Sequence, residues 1–327
     1  MKILVFEYIT GGGLAGEDLP ITLAAEGRMM LQALLDDLKS LAGLELILPL
    51  DQRCIDVSVP ANTRVVPIGV SDDIWRMLPA LIDKVDMVWP VAPETGGILE
   101  SLARQVKASG KTLLLSDPET VALCGNKLET YRRLKACELP VVETLALSEW
   151  NSSSFSTCVI KPIDGVGCEG SRIIDDLSAF QFTINDGDAY VLQPFIKGQA
   201  ISLSCLFKQG RAWLLCCNKQ EIVIQDRQFG LRACLVNINN EGREFYQNLL
   251  ERVAQALPGL WGYIGIDLIE TKEQGPLILE INPRLTTSFV GIKQATGINV
   301  TEQSLALLRG EPDLTFSKQQ AIKLIIH

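Results

Sequence analysis

Short apolar runs alternate with segments of helical spacing over the first third of the chain, and this alternation leaves few folds open. KILVF at 2–6 is followed by a glycine turn at 11–13, and residues 21–39 then repeat apolar positions at helical spacing. Further apolar runs at 44–48, 64–68, 86–89 and 112–115 predict strands, and 73–82 and 97–108 predict helices. That order predicts a parallel α/β sheet covered by helices. Near Asp117-Pro118 the texture changes: helical segments at 118–136 end before Leu139-Pro140, strands follow near 141–145 and 157–161, and residues 151–154 read as a Ser-rich turn. From 188 onward strands dominate, at 189–194, 201–207, 211–217, 220–224, 232–236, 261–270 and 277–281, with helices near 241–256, 288–296 and 300–309. The expected division is 1–115, 116–187 and 188–327, the last part α+β with an antiparallel sheet.

Composition narrows the function. The net charge is -9, and the basic residues are scattered singly or in pairs such as Arg132-Arg133, so the stripe needed to neutralise a nucleic acid is missing. No segment approaches the roughly 20 apolar residues that span a bilayer, and the apolar stretch before Glu7 is too short for a secretion signal. A cytoplasmic protein with neither membrane nor nucleic acid as partner is expected. The nine cysteines are odd in number and lack a CxxC pair, which reads as buried thiols in a reducing compartment. The single histidine is the C-terminal His327, so Ser-His-Asp, Cys-His and His-metal chemistries are disfavoured. Lys, Arg, carboxylates, backbone amides and a metal remain, the means by which phosphate is handled.

The strongest motif is VIKPIDGVGCEGSR at 159–172. A β run delivers Lys161, and Gly165, Gly167 and Gly170 let backbone amides approach phosphate oxygens ahead of Ser171. This is neither a Walker loop, which puts Lys-Ser/Thr after the glycines, nor a GxGxxG opening a long helix. Arg172–Ile174 read as another strand, so a hairpin with a glycine tip is implied; an ordinary turn is the bland alternative. Downstream, Asp267 lies on one strand, and Glu280 and Asn282 lie two apart on the next, hence on one face. Three oxygen ligands of this kind suit Mg²⁺ or Mn²⁺ shared with phosphate; a structural ion pair is the alternative. FEYITGGG and WPVAPETGG each place a carboxylate, Glu7 and Glu94, just after a strand, where open α/β sheets gather ligands. Either residue can contact a substrate or simply stabilise its turn.

In combination with LCGNKLETYRRL (123–134), YVLQPFIKGQAISLS (190–204), GYIGIDLIE (262–270) and LILEINPRLTTS (277–288), the glycine hairpin resembles the ATP-grasp superfamily over roughly residues 110–300. The resemblance implies an ATP-grasp fold, α/β and α+β, in which a parallel pre-ATP-grasp domain precedes two α+β lobes that hold the nucleotide between them. It implies ATP and Mg²⁺ as cofactors, Lys127 and Lys161 on the nucleotide phosphates, and Arg284 facing the transferring phosphoryl group, with Thr286, Thr287 and Ser288 nearby. It makes Leu192-Gln193-Pro194-Phe195-Ile196 the hinge that meets the adenine. Relatives carry a carboxylate for the ribose just after the hinge glycine; here Gln199 and Ala200 follow Gly198. Asn218 and Lys219 are further candidates to reach the site. The implied activity joins a small carboxylic acid to an amine through an acyl phosphate, with a homodimer left open. FEYITGGG, PETGG and KPIDGVGCEG are similar to the tyramine-glutamate ligase group of methanofuran biosynthesis. Two alternatives remain: a small-molecule kinase on the same fold, and a non-catalytic ATP sensor.

Overall fold

The structure is a computed structural model that describes residues 1–149, 157–175, 189–238 and 242–326. The Ser-rich turn expected at 151–154, residue 241 at the start of a predicted helix, and His327 lie outside the described residues.

The first part contains β1 (Lys2–Glu7), α1 (Ile21–Lys39), β2 (Glu45–Asp51), β3 (Thr63–Ile68), α2 (Ile74–Ile82), β4 (Met87–Val91), α3 (Ile98–Ala108) and β5 (Thr112–Leu113). The strands form one sheet in the order β3-β2-β1-β4-β5, and every pairing is parallel. Ile3, Leu4 and Val5 at its centre are fully buried, as a sheet covered on both faces requires. The order reverses between β1 and β4, so their carboxyl ends, carrying Glu7 and leading to Glu94, flank the switch point where ligands bind in open α/β sheets.

Two helices then carry the chain across. In α4 (Pro118–Gly125), Asp117 caps the first turn by accepting from the Thr120 amide, and Pro118 occupies the first helical position. Asn126 adopts extended backbone and caps α5 (Lys127–Ala136), which breaks the predicted helical stretch in two and sets Lys127 at the new N-terminus.

The remaining strands are β6 (Leu145–Ala146), β7 (Cys158–Pro162), β8 (Arg172–Ile174), β9 (Tyr190–Pro194), β10 (Gln199–Lys208), β11 (Arg211–Gln225), β12 (Gln228–Val236), β13 (Gly262–Thr271), β14 (Gly275–Asn282) and β15 (Ile322–Ile325). The helices are α6 (Arg243–Ala256), α7 (Phe289–Thr296) and α8 (Val300–Ala306). These strands form one antiparallel sheet, ordered β14-β13-β10-β11-β12-β8-β7-β9-β6, with β15 beside β12. One register pair, Gln228 with Arg172, joins the glycine-hairpin strands to the rest.

Several expectations shift. The predicted strands 211–217 and 220–224 are a single 15-residue strand, because polar Asn218 and Lys219 pair in the ladder with Ser202 and Ile201 without interrupting it. The predicted strand at 141–145 shrinks to an isolated bridge from Val141 to Ile278 and the short β6. The expected division at 187/188 falls before β9, yet β9 pairs with β7 and β6, so by pairing it goes with the glycine-hairpin strands. The first and last parts share one core: Leu31, Leu34 and Leu38 of α1 cluster with Phe289, Ile292 and Val300, and Lys293 pairs with buried Asp37 at 2.9 Å. Among the described residues no helix is long and apolar enough to cross a membrane. Seven of the nine cysteines are buried and all are free thiols, in keeping with apolar packing.

Candidate active site

The site grows from four chain segments distant in sequence. The backbone amide of Lys127 donates to Ile163 O at 2.9 Å, which fastens the start of α5 to the loop after β7. Its ammonium group donates to Gly165 O and stands 3.6 Å from Glu280 Oε2. Lys161 lies on β7 opposite Val191, buried, with Glu280 and Lys127 as its charged neighbours. Burial, reinforced by Lys127 and opposed by Glu280, pushes its ammonium down to about 8. Both lysines and Glu280 thus meet beneath the glycine loop.

The loop itself needs its glycines. Gly167 and Gly170 have φ of +57° and +66°, and a Cβ at Gly170 would sit 2.8 Å from the Pro162 ring. Asp164 anchors the loop to the first domain: its carboxylate accepts from the Gly96 amide at 2.8 Å and its carbonyl from the Thr95 hydroxyl at 3.1 Å. Ser171 is buried at the foot of β8.

Across the cleft, Asp267 and Glu280 are directly opposite in the β13–β14 register, and Asn282 Nδ2 donates to Asp267 Oδ2 at 3.0 Å. The three predicted oxygen ligands therefore share one face. Burial and the neighbouring Glu280 charge push the Asp267 carboxyl up, whereas in Glu280 the effect of burial is outweighed by Lys127 and Lys161, which hold it low. Two buried carboxylates this close repel unless a cation or proton intervenes, so the donor set fits a divalent ion. Among the described residues no three acidic, Cys or His side chains form a cage for a metal ion. A site completed by phosphate oxygens and water is what Mg²⁺ favours.

Arg284 follows β14, and its Nε donates to Glu94 Oε2 at 2.9 Å, which ties the metal-side strand to the switch point of the first sheet. Burial works against its charge, but Glu94 and Glu280 outweigh burial and raise its pKa. Its loop is braced from behind by buried hydroxyls. Tyr263 OH lies 3.0 Å from both Ser204 Oγ and Thr286 Oγ1, and Ser288 Oγ bonds to all three. Asn218 joins this network by donating to Ser204 at 3.0 Å, so it supports the loop from within the sheet.

Other expected residues stand apart from this cluster. Lys219 is exposed and sits one step from Asn218, on the α6 side of the sheet with Cys217 and Ile201, facing away from Asp267. Gln199, paired opposite Glu270, is exposed on that same side by alternation with Ile201 and Leu203, which corrects the ribose contact expected of it. In the hinge, the Phe195 amide already donates to Thr157 O at 3.0 Å, Pro194 has no amide hydrogen, and the Gln193 side chain donates to Thr144 at 2.9 Å. The adenine edge therefore cannot use those donors without rearrangement. Ile196 is half-buried at the hinge, and the Phe195 ring tilts against Phe229 at 6.4 Å. Glu7 accepts from the Ile9 amide and from the amide and hydroxyl of Thr10, at 3.2, 2.7 and 2.6 Å, so its carboxylate secures its own turn. Burial raises its pKa against the pull of those bonds.

Sequence reasoning passed over Gln220, which donates to Asp267 Oδ1 at 2.9 Å, and Glu26, which lies within reach of Arg284 and the Thr287 hydroxyl. Gln220 was accessible to register reasoning, since it shares the face of Asn218; nothing local marks Glu26 among the acids of the amphipathic helix α1.

By fold, the chain falls in the class of two-lobed proteins in which a glycine-tipped hairpin faces a carboxylate-bearing antiparallel sheet, preceded by a parallel α/β domain. Residues 124–288, half of the chain, match the ATP-grasp domain family, and residues 44–121 match the pre ATP-grasp 3 domain. The chain belongs to the ATP-grasp family. It is 28% identical over 296 residues to the tyramine--L-glutamate ligase of Methanocaldococcus jannaschii, covering 89% of this chain and 84% of that protein. The protein of the same name from Methanocaldococcus fervens is 27% identical over 308 residues, 94% of this chain and 92% of its own length. The crystal structure of an ATP-grasp superfamily protein from Archaeoglobus fulgidus superposes with a TM-score of 0.74 at 22% identity, over 99% of this chain and 92% of that one.

Proposed function

We propose that the protein is an ATP-dependent carboxylate–amine ligase that forms an amide through an acyl phosphate, with glutamate and tyramine, or a closely similar amine, as substrates. The observation that carries the proposal is the meeting of Lys127, Lys161 and Glu280 under the glycine loop, with Asp267 opposite. The two relatives named as tyramine--L-glutamate ligases supply the substrate pair. In this reading residues 1–115 present the substrates, and 116–187 and 188–327 enclose the nucleotide.

Lys127 and Lys161 neutralise the triphosphate, and the arriving anion restores the full charge of Lys161 that burial weakens. Glycine-loop amides cover the phosphates and keep water from the acyl phosphate. Asp267, Glu280 and Asn282 would hold Mg²⁺, which would supply charge neutralisation of the phosphate oxygens. The substrate carboxylate attacks the γ-phosphorus, a C–O–P linkage forms, and ADP leaves. Arg284 stabilises the charge spread over the phosphoryl oxygens. The amine then attacks the acyl carbon, the C–O bond breaks, and inorganic phosphate departs with that oxygen. Of the ammonium's three protons, one stays on the amide, one leaves on phosphate and one reaches solvent. No histidine is needed at any step.

ADP release with glutamate and tyramine, alone and together, tests this directly. Amide and phosphate in equal amounts with ADP, only when both are present, is the expected outcome. A phosphorylated product without phosphate release would mark a kinase, and binding without turnover a sensor; the presence of Asp267 and Glu280 speaks against the sensor.

A further inference from the structure

Negative charge around Arg284 exceeds what the described residues neutralise there. Arg284 bonds to Glu94 and lies within electrostatic reach of Glu7 and Glu26, while Lys127 and Lys161 face Glu280. Three carboxylates therefore share one guanidinium at the carboxyl ends of β1 and β4. A Cβ added at Gly27 of α1 would lie 2.8 Å from Glu7 Oε2, so the turn of α1 that carries Glu26 packs against Glu7.

The three acids differ in what they leave free. Glu7 has both oxygens engaged by Ile9 and Thr10. Glu94 spends Oε2 on Arg284, but its Oε1 is buried without a hydrogen-bond partner among the described residues, on a side chain only 6% exposed. Glu26 is half-buried, within reach of the Thr287 hydroxyl, and forms no ion pair among the described residues. A buried carboxylate oxygen without a donor is costly, and so is carrying a carboxylate's charge out of water. A ligand that is both donor and cation relieves both.

We propose that Glu26 and the free oxygen of Glu94 form the anchor for a primary ammonium group of the substrate. An ammonium has three N–H donors and no acceptor, which suits two carboxylates beside a guanidinium that a substrate anion would seek instead. The inference rests on the ligase reading, which requires an amine next to the phosphoryl site that Arg284 borders. The ammonium belongs either to the incoming amine or to the α-amino group of the acid, and the two sources are separable.

The test uses the full chain with MgATP, glutamate and tyramine, and with hydroxylamine as an uncharged substitute nucleophile that reports acyl phosphate as hydroxamate. Glu26→Gln is expected to raise one KM at least tenfold while KM for ATP moves less than twofold. A rise for tyramine alone assigns the anchor to the incoming amine; a rise for glutamate with either nucleophile assigns it to the α-ammonium. Glu26→Asp, which keeps the charge, is expected to restore part of the affinity and serves if Glu26→Gln does not fold. Unchanged KM for both substrates in the variants, or a fall in kcat alone, with wild type forming hydroxamate, would overturn the anchor. Wild-type protein that yields neither hydroxamate nor amide would overturn the ligase reading and the anchor with it.

Discussion

Glu280→Gln separates the metal role of this carboxylate from its role as counter-ion to two lysines. At 3.6 Å from Lys127, two unit charges attract by about 4 to 5 kcal/mol at an effective dielectric near 20. Desolvation offsets part of this, and removing one partner of a buried pair typically costs about 3 to 5 kcal/mol. Lys161, already weakened to about 8, can shed its proton and cap the loss. The expected destabilisation of the free protein is therefore about 3 kcal/mol, a fall in Tm of about 5 to 10 °C. Binding should move the other way. Glu280 competes with nucleotide for Lys127 and Lys161, so the variant is expected to bind metal-free ATP at least as well as wild type. Magnesium should no longer strengthen binding, and turnover should drop by about 100-fold or more. The assays are thermal melts, titration of ATP with and without Mg²⁺, and ADP release. Turnover within about twofold of wild type, or an equal loss of metal-free and magnesium-bound affinity, would refute the metal assignment.

Lys161→Met reports the buried ammonium. Its pKa falls from 10.5 to about 8 on folding, so between those values the unfolded chain holds a proton that the folded one has released, and stability rises with pH. Below about 8 the wild type bears the cost of the buried charge, which Met lacks; the variant should be the more stable at pH 7 and lose that advantage towards pH 10.5, while its affinity for ATP falls. Parallel stability curves in urea across this range would contradict the assignment. Gly170→Ala places a Cβ 2.8 Å from Pro162 at φ +66°, and should cost about 1 to 3 kcal/mol locally and raise KM for ATP. An unchanged KM would mean that the glycine loop does not cover the phosphates.

How far the sequence carries depends on whether a feature is local. The parallel sheet was legible because strand and helix periods alternate cleanly, and the Glu280–Asn282 pairing because strand alternation fixes a face. Lys161 with its glycines was legible as one continuous segment. Gln199 was misplaced because its position after Gly198 resembles a family pattern, whereas its face is decided by the register with Glu270. The Phe195 amide, within the segment expected to meet the adenine, bonds instead to Thr157, a partner far from it in sequence. Glu26 lies more than 250 residues before Arg284 and owes its setting to packing of α1 against the last helices, which no local pattern records. The same holds for the Ser204–Tyr263–Ser288 network, whose members come from three elements.

Oxygen transfer offers the most direct test of the acyl phosphate at the centre of the proposed reaction. With glutamate whose carboxylate oxygens are ¹⁸O and with unlabelled ATP, tyramine and water, each turnover should move one ¹⁸O from the acid into inorganic phosphate. Phosphate released without the label while amide accumulates would contradict it.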